Sequence, residues 1–498
     1  MKRKHIFRAL AVAAACVLSL NAQAVTKLEG ATANTLQVSE SGAGHFLIVP
    51  YFTTQSGNAL LLSLINMDEV NGKAVKLRFR SARNADTLFD FQVFLAPGDM
   101  WTGNVSQNGN GLSYLTTSDA SCSKPGRASI NATPFKTGRL NPKASAAARA
   151  DETREGYIEI VTMADIPPSS SGLFPLITLE NEIPGCEFAT SSALWSALDV
   201  NKTGLADYAA MGMQPPSTGL TANWTIMNVP KALSWSGAAF ALEARRDGRA
   251  ARGNLAYFPQ STSILSNVGT YTADPLFAAS SLRLVGRMND LPDISTPYVA
   301  GVSNPSQQAK ALTSLLEVPT VSNEFWTDAG IAAETEWLFS MPTRRFIVGI
   351  DYSAEGMLDP VVNSALGATE DSSWISMPSD WTACLDEPSR TVRDRSGVRP
   401  DSVETQEIRI NFLCGATTLY PVRSHPDTDG GVLSSSSAPG NVRTVDVTNG
   451  WMSLRHGGWT GNGMPVIGQA FVRAFNPNVA PGTAGNFSVT WPHRLLKN

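Results

Sequence analysis

Period-two alternation constrains this chain more than any other feature. Val75, Leu77 and Phe79 alternate with Lys76, Arg78 and Arg80, and Phe89, Phe91, Val93 and Leu95 alternate with Asp90, Gln92 and Phe94. Successive strand residues point to opposite sides of a sheet, so these runs read as strands rather than as amphipathic helices. The run at 75–80 reads as half-exposed, with its lysine and arginines in solvent. Residues 59–66 are apolar at both parities, Leu60, Leu62 and Leu64 against Leu61 and Ile65, which predicts a strand buried on both faces. Asn71-Gly72 has the composition of a type I′ hairpin turn, and Pro97-Gly98-Asp99 that of the turn ending the next run. Together they predict a meander of antiparallel strands, the building unit of a sandwich.

The same reading predicts strands over 157–163, 222–229, 238–244, 346–352 and 407–413. It adds a second hairpin of 442–448 and 451–456 turning at Asn449-Gly450, and final strands over 466–475 and 487–491. Helices are few. Residues 305–317 start with Asn304 as N-cap and Pro305 at the first turn, carry Leu312, Leu315 and Leu316 on one stripe, and stop before Pro319. A short helix is predicted over 191–198, and polar loops over 144–150, 167–172 and 433–440. The expected fold is therefore mainly β: an antiparallel β-sandwich with long loops and a few short helices. It divides into a leader at 1–24, a sandwich-rich region at 25–300, a helical and loop connection at 301–335, and a second β-rich region at 336–498. The second region can complete the same sandwich if the last strand pairs with an early one.

Residues 1–24 have the form of a secretory leader. Lys2, Arg3, Lys4 and Arg8 precede an apolar stretch and then Ala22-Gln23-Ala24, which predicts a mature chain beginning at Val25. The stretch is too short to span a bilayer, and no other run of adequate length is present, so no transmembrane span is expected after cleavage. Lipid attachment at Cys16 is disfavoured, because the residue three positions before it is Ala13 rather than leucine. Removal of the leader moves the formal charge from −4 to −8. That excess of acid excludes a nucleic-acid binder, which must neutralise a run of phosphates.

Export leaves Cys122, Cys186, Cys384 and Cys414, an even set with three connectivities. Pairing Cys122–Cys186 and Cys384–Cys414 keeps each bridge within one segment. Each would stabilise the chain by roughly 3–5 kcal/mol in the chain-entropy treatment. Zinc would need close Cys or His spacing, which is absent.

Catalytic motifs are sparse. There is no G-x-S-x-G elbow, no H-E-x-x-H and no phosphate-binding glycine loop, and the mature chain holds only His45, His425, His456 and His493. Glu334 with Glu336, and Glu180 with Glu182, are spaced to share a strand face, a pattern that solvated strands also show. Asp199, Asn201, Thr203 and Asp207 occupy positions 1, 3, 5 and 9 of a calcium-type loop with Gly204 at position 6. Ala210, however, stands where a bidentate acid belongs. A polar turn after a helix explains the same residues, so no cofactor is expected beyond a weak calcium site at these positions. Trp101, Trp224, Trp337, Trp451 and Trp491 lie in or beside predicted strands, where core packing accounts for them better than a sugar-binding face does.

Seven stretches form a set: Val49-Pro50-Tyr51-Phe52, then 71–80, 95–103, 222–230, 291–298, 340–345 and Gly463-Met464-Pro465-Val466-Ile467-Gly468. Spread over nearly the whole mature chain, they resemble a family of exported Gram-negative cell-surface proteins that includes surface-layer proteins of the nanopod-sheathing type. The resemblance implies an outer cell-surface address, with the periplasm as alternative. It also implies self-association into a layer or sheath, with outer-membrane or envelope polysaccharide components as further partners, and no enzymatic role. The competing reading is a secreted polymer-binding protein or hydrolase.

Overall fold

The computed structural model describes residues 29–180, 183–188, 192–200, 202, 204–260, 292–302, 305–350, 352, 360–362, 375–376, 382, 384–386, 389–399, 411–424, 431–436, 443–445, 447–457, 462–476, 478–480, 483 and 485–497. The leader at 1–24, Asn304 and His425 lie outside them, as does most of the strand predicted at 407–413. The chain is mainly β, with antiparallel sheets stacked face to face and short helices at their margins.

Four larger sheets carry the described architecture. Sheet A runs in the order Thr35–Val38, Phe240–Arg246, Phe46–Thr53, Glu155–Ile166, Gly72–Ser81, Thr87–Leu95, Cys122–Lys124, with Arg249–Ala250 beside Phe240–Arg246. Sheet B runs Leu233–Ala238, Leu220–Asn228, Asn58–Asn66, Met100–Gln107, Ser113–Thr116. Sheet C is Ser389–Asp394, Asn449–Arg455, Thr320–Trp326, Arg494–Leu496. Sheet D is Arg443–Thr444, Thr417–Arg423, Glu334–Ser340, Ile467–Phe475, Asn486–Pro492.

Sheets A and B form one sandwich. Val75, Leu77, Phe79, Phe91 and Ile160 from A interdigitate with Leu60, Leu62, Trp101, Trp224 and Ile226 from B, the arrangement that period-two strands adopt when two inner faces share a core. Sheets C and D form a second: Val321, Phe325 and Met452 of C share a core with Trp337, Phe339 and Tyr420 of D. Sheet D is buried on both sides, because Leu338, Leu419 and Phe471 on its other face enter the A/B core. Trp235 donates its indole N–H to the Val472 carbonyl at 2.9 Å across that junction.

Several expectations need correction. Asn71-Gly72 is not a hairpin turn: Asn58–Asn66 pairs with Leu220–Asn228 and Met100–Gln107 in B, whereas Gly72–Ser81 pairs with Thr87–Leu95 and Glu155–Ile166 in A. Gly72 begins a crossing between layers, and a Cβ there would fall 2.4 Å from the Ile177 side chain, so the close approach requires glycine. Gly72–Ser81 is not half-exposed but wholly buried, and Asn58–Asn66 is not buried on both faces, since Leu61 is 41% exposed. Asn449 and Gly450 lie within a strand, opposite Trp326 and Phe325, rather than in a turn. Residues 344–347 form a helix, Arg344–Ile347, before the strand Val348–Ile350, and Ala146–Glu152 is a helix where a loop was expected. In the latter, Ser145 caps the helix by accepting the Ala148 N–H at 3.1 Å. The helix Pro305–Leu316 forms as its stripe predicts, with Leu312 and Leu316 buried. The final strand, Arg494–Leu496, pairs with Thr320–Trp326.

Candidate functional site

Both cysteine pairs are bridged as their spacing favoured, Cys122 to Cys186 and Cys384 to Cys414. The first ties the margin of sheet A to the helix Gly185–Phe188, and the second joins residues directly opposite one another on adjacent strands. Two disulfides fit an oxidising, non-cytoplasmic compartment. No helix among the described residues is long and apolar enough to cross a membrane.

The calcium-type loop is only partly described, since Asn201 and Thr203 lie outside the described residues. Asp199 accepts a charge-assisted hydrogen bond from Lys124 Nζ at 2.6 Å, and Asp207 lies in the first turn of the helix Leu205–Ala210. No cluster of three metal-ligating side chains occurs among the described residues. His45 and His493 are core residues. His45 Nδ1 accepts the Ala244 N–H at 3.1 Å, and His493 lies between Asn323 and the Leu338 carbonyl. Burial pulls both imidazoles down to about 3, so both are neutral at physiological pH.

The carboxylate pair on Glu334–Ser340 is split by its surroundings. Glu334 takes Arg473 Nη2 at 2.7 Å at the sheet margin. Glu336 is buried, and its carboxylate accepts the Leu433 N–H at 2.9 Å. Desolvation pushes the Glu336 carboxyl up to about 7; the Leu433 amide opposes this, and the carboxylates of Glu334 and Glu155 add to it. Glu155 in turn holds the same loop, accepting from Ser436 N at 2.8 Å and from the Tyr51 hydroxyl at 3.0 Å. The serine-rich segment that reads as a free loop is thus pinned at residues 433–436 by two buried acids. A Cβ at Gly431 would fall 1.4 Å from Glu336 Oε1, so any larger residue there must displace the carboxylate. Glu180 lies on the short strand Leu179–Glu180, and Glu182 is outside the described residues.

The charged alternation of Gly72–Ser81 has an unexpected destination. Lys76, Arg78 and Arg80 point away from the A/B core and are at most 1% exposed: Arg78 and Arg80 reach the segment 292–298, and Lys76 reaches Gln260. Lys76 pairs with Asp90, Arg80 with Glu159 at 3.1 Å, and Arg345 with Asp293. Arg78 donates to the Pro292 carbonyl at 3.0 Å. Although burial alone would raise the Asp293 carboxyl, the guanidinium groups of Arg345, Arg80 and Arg78 hold it below its usual value. Such a network costs several kcal/mol per ion in desolvation, which dense pairing offsets. It ties sheet A to the segment 292–298 and to the helix Arg344–Ile347.

Sheet B shows the inverse. None of the residues in its five strands is charged, in a chain that is 16% charged. Its inner positions fill the A/B core, and its outer face displays Leu61, Ser63 and Ile65 beside Thr221, Asn223 and Thr225 on one neighbour and Met100, Thr102 and Asn104 on the other. A shallow depression of about 600 Å³ runs across it, lined by Leu61, Thr102, Asn104, Thr116 and Asn223 among others. The absence of charge from these strands is legible in the sequence, but their assembly into one outward face is not.

Comparison with protein-family models, with curated proteins and with solved structures returns no match to this chain. The tryptophans divide by location: Trp101, Trp224 and Trp337 are buried in the cores, whereas Trp451 and Trp491 join Trp326 on an open cleft of sheet C.

Proposed function

We propose that this chain is an exported structural protein of the cell surface that self-associates into a layer or sheath, with the outer face of sheet B as the contact between copies. The uncharged strands of that sheet carry the proposal. Soluble proteins keep sheet faces in solution by placing charge on them, and here the exposed face of a five-stranded sheet has none while lysine and arginines are buried elsewhere. A face without charge has no ions to desolvate when it meets its own copy, its hydroxyl and amide groups can hydrogen-bond to their counterparts, and short Ser, Thr and Asn side chains let two sheets approach to the usual stacking distance of about 10 Å. A charged partner would leave its own ions unpaired there, so a second copy is the occupant that fits best. The leader read at 1–24, the disulfides and the resemblance to nanopod-type surface-layer proteins support the surface address. A net charge of −8 on the mature chain adds little self-repulsion.

The test is light scattering and electron microscopy of the mature chain, from Val25, over a concentration series with and without calcium. Ordered assemblies are expected for the wild type. The double variant Leu61→Lys/Thr225→Lys, which changes outward positions opposite one another in the register, should raise the concentration needed for assembly roughly tenfold or more while leaving the circular dichroism unchanged. A monomer under every condition, or assembly indifferent to the double variant, would refute the proposal.

A further inference from the structure

We infer that the cleft on the outer face of sheet C binds a neutral saccharide chain. It has a volume of about 810 Å³, and Trp326, Trp451 and Trp491 are its aromatic walls. That size lies within the range of small-molecule sites, roughly 300–1,000 Å³. The register builds the floor. Trp451 stands directly opposite Glu324 on one neighbouring strand and Arg393 on the other, and Trp326 stands opposite Asn449. Trp491 meets Trp326 edge to face with ring centroids 4.9 Å apart.

Three observations suit these indoles to a ligand. Trp451 is 39% exposed at a mid-strand position, where burying an aromatic ring is the ordinary way to gain stability. Among the described residues no hydrogen bond engages the indole N–H of Trp326, Trp451 or Trp491, which leaves three donors open to a ligand. The cleft is also held in shape before any ligand arrives. Buried Asn323 donates to the Trp491 carbonyl at 2.9 Å, and Thr335 Oγ1 both accepts from Trp326 N and donates to its carbonyl. Asp394 Oδ1 accepts from Ser396 N and Val398 N at 2.8 Å each and so orders the rim turn. Preordering lowers the entropy cost of binding.

The chemistry selects the ligand. Two carboxylates, Glu324 and Asp394, share the cleft with the guanidinium groups of Arg395 and Arg494, and Arg393 stands beside Trp451 on the same face, so the lining mixes both signs of charge. A phosphate polymer needs a positive site, and a purely apolar ligand would strand these polar groups. A sugar ring has an apolar face for an indole and a rim of hydroxyls that both donate and accept, which matches acids, guanidiniums and free indole donors together. The cleft opens beside the edge strand Ser389–Asp394, so a polymer can run past it.

Maltohexaose, cellohexaose, N-acetylchitohexaose and neutral polysaccharide extracted from the producing cells should be titrated against the mature chain, with tryptophan emission and calorimetry as readouts. At least one is expected to bind saturably. Trp451→Ala and Trp326→Ala should weaken that binding roughly tenfold or more, about 1.4 kcal/mol. Trp451→Phe, which keeps a flat ring, should retain most of it, and Leu61→Lys/Thr225→Lys should leave it unchanged. Circular dichroism confirms folding of each variant. Absence of saturable binding by all four, equal affinity in Trp451→Ala and Trp451→Phe, or binding of oligothymidylate in their place would overturn the inference.

Discussion

Glu336 and the two buried histidines give the protein opposing sensitivities to pH. The Glu336 carboxyl titrates at about 7 when folded and near 4.5 when unfolded, so across that window the native state holds the proton more tightly. Its contribution to stability is therefore greatest in acid and is lost as pH rises through about 7. His45 and His493 work the other way: with folded values of about 3 against 6.5, they cost stability as pH falls below about 6.5. The Glu336→Gln variant keeps an oxygen for the Leu433 N–H and cannot ionise. Relative to wild type it should gain on the order of 3 kcal/mol between pH 4.5 and 8, at about 1.4 kcal/mol per pKa unit. Urea midpoints at several pH values measure the difference, and a pH-independent gap between the two proteins would contradict the assignment.

At the scale of the element, the strand Gly72–Ser81 shows what alternation specifies and what it leaves open. Its apolar residues enter a core as predicted, and its charges were expected in water. They are instead buried against residues far along the chain, Lys76 reaching Gln260 across a separation of 184 and Arg78 reaching Pro292 across 214. Loss of one partner from such a network leaves an opposite charge buried and uncompensated. Arg345→Met should therefore cost about 3–5 kcal/mol, whereas Arg246→Met, at an exposed position, should stay within about 0.5 kcal/mol. Adding Asp293→Asn to Arg345→Met should cost less than the sum of the two single changes, because the pair is coupled. Chemical denaturation of the three variants tests this, and additive costs would show that the network is not coupled.

For the molecule as a whole, the two β-rich parts share side chains across their boundary. Leu338, Leu419 and Phe471 of sheet D lie in the same core as Leu60 and Phe91 of the first sandwich, and the Arg345–Glu159 pair binds the helix Arg344–Ile347 to sheet A while Arg345–Asp293 binds it to the segment 292–298. Neither part can separate without exposing that core. A single calorimetric transition is expected with disulfides intact, with van't Hoff and calorimetric enthalpies in agreement. Two resolved transitions would instead identify independent units.

The sequence by itself determined the secondary-structure class, most strand positions and the helix Pro305–Leu316, and it favoured the cysteine pairing that forms. All of these depend on local periodicity, turn chemistry or spacing. It did not determine which side of a strand meets water. Asn71-Gly72 satisfies the rules for a hairpin, yet the layer crossing at Gly72 depends on Ile177 and on the strands that flank each side. Trp326 went unnoticed, and Trp451 and Trp491 read as core residues, because exposure is a property of what packs above a strand. Sheet order decided that lysine and arginines lie inside, that a serine loop is pinned by acids and that an uncharged face lies outside. Burial is set by contacts between residues hundreds of positions apart, and a pattern of period two fixes only that adjacent side chains point to opposite faces.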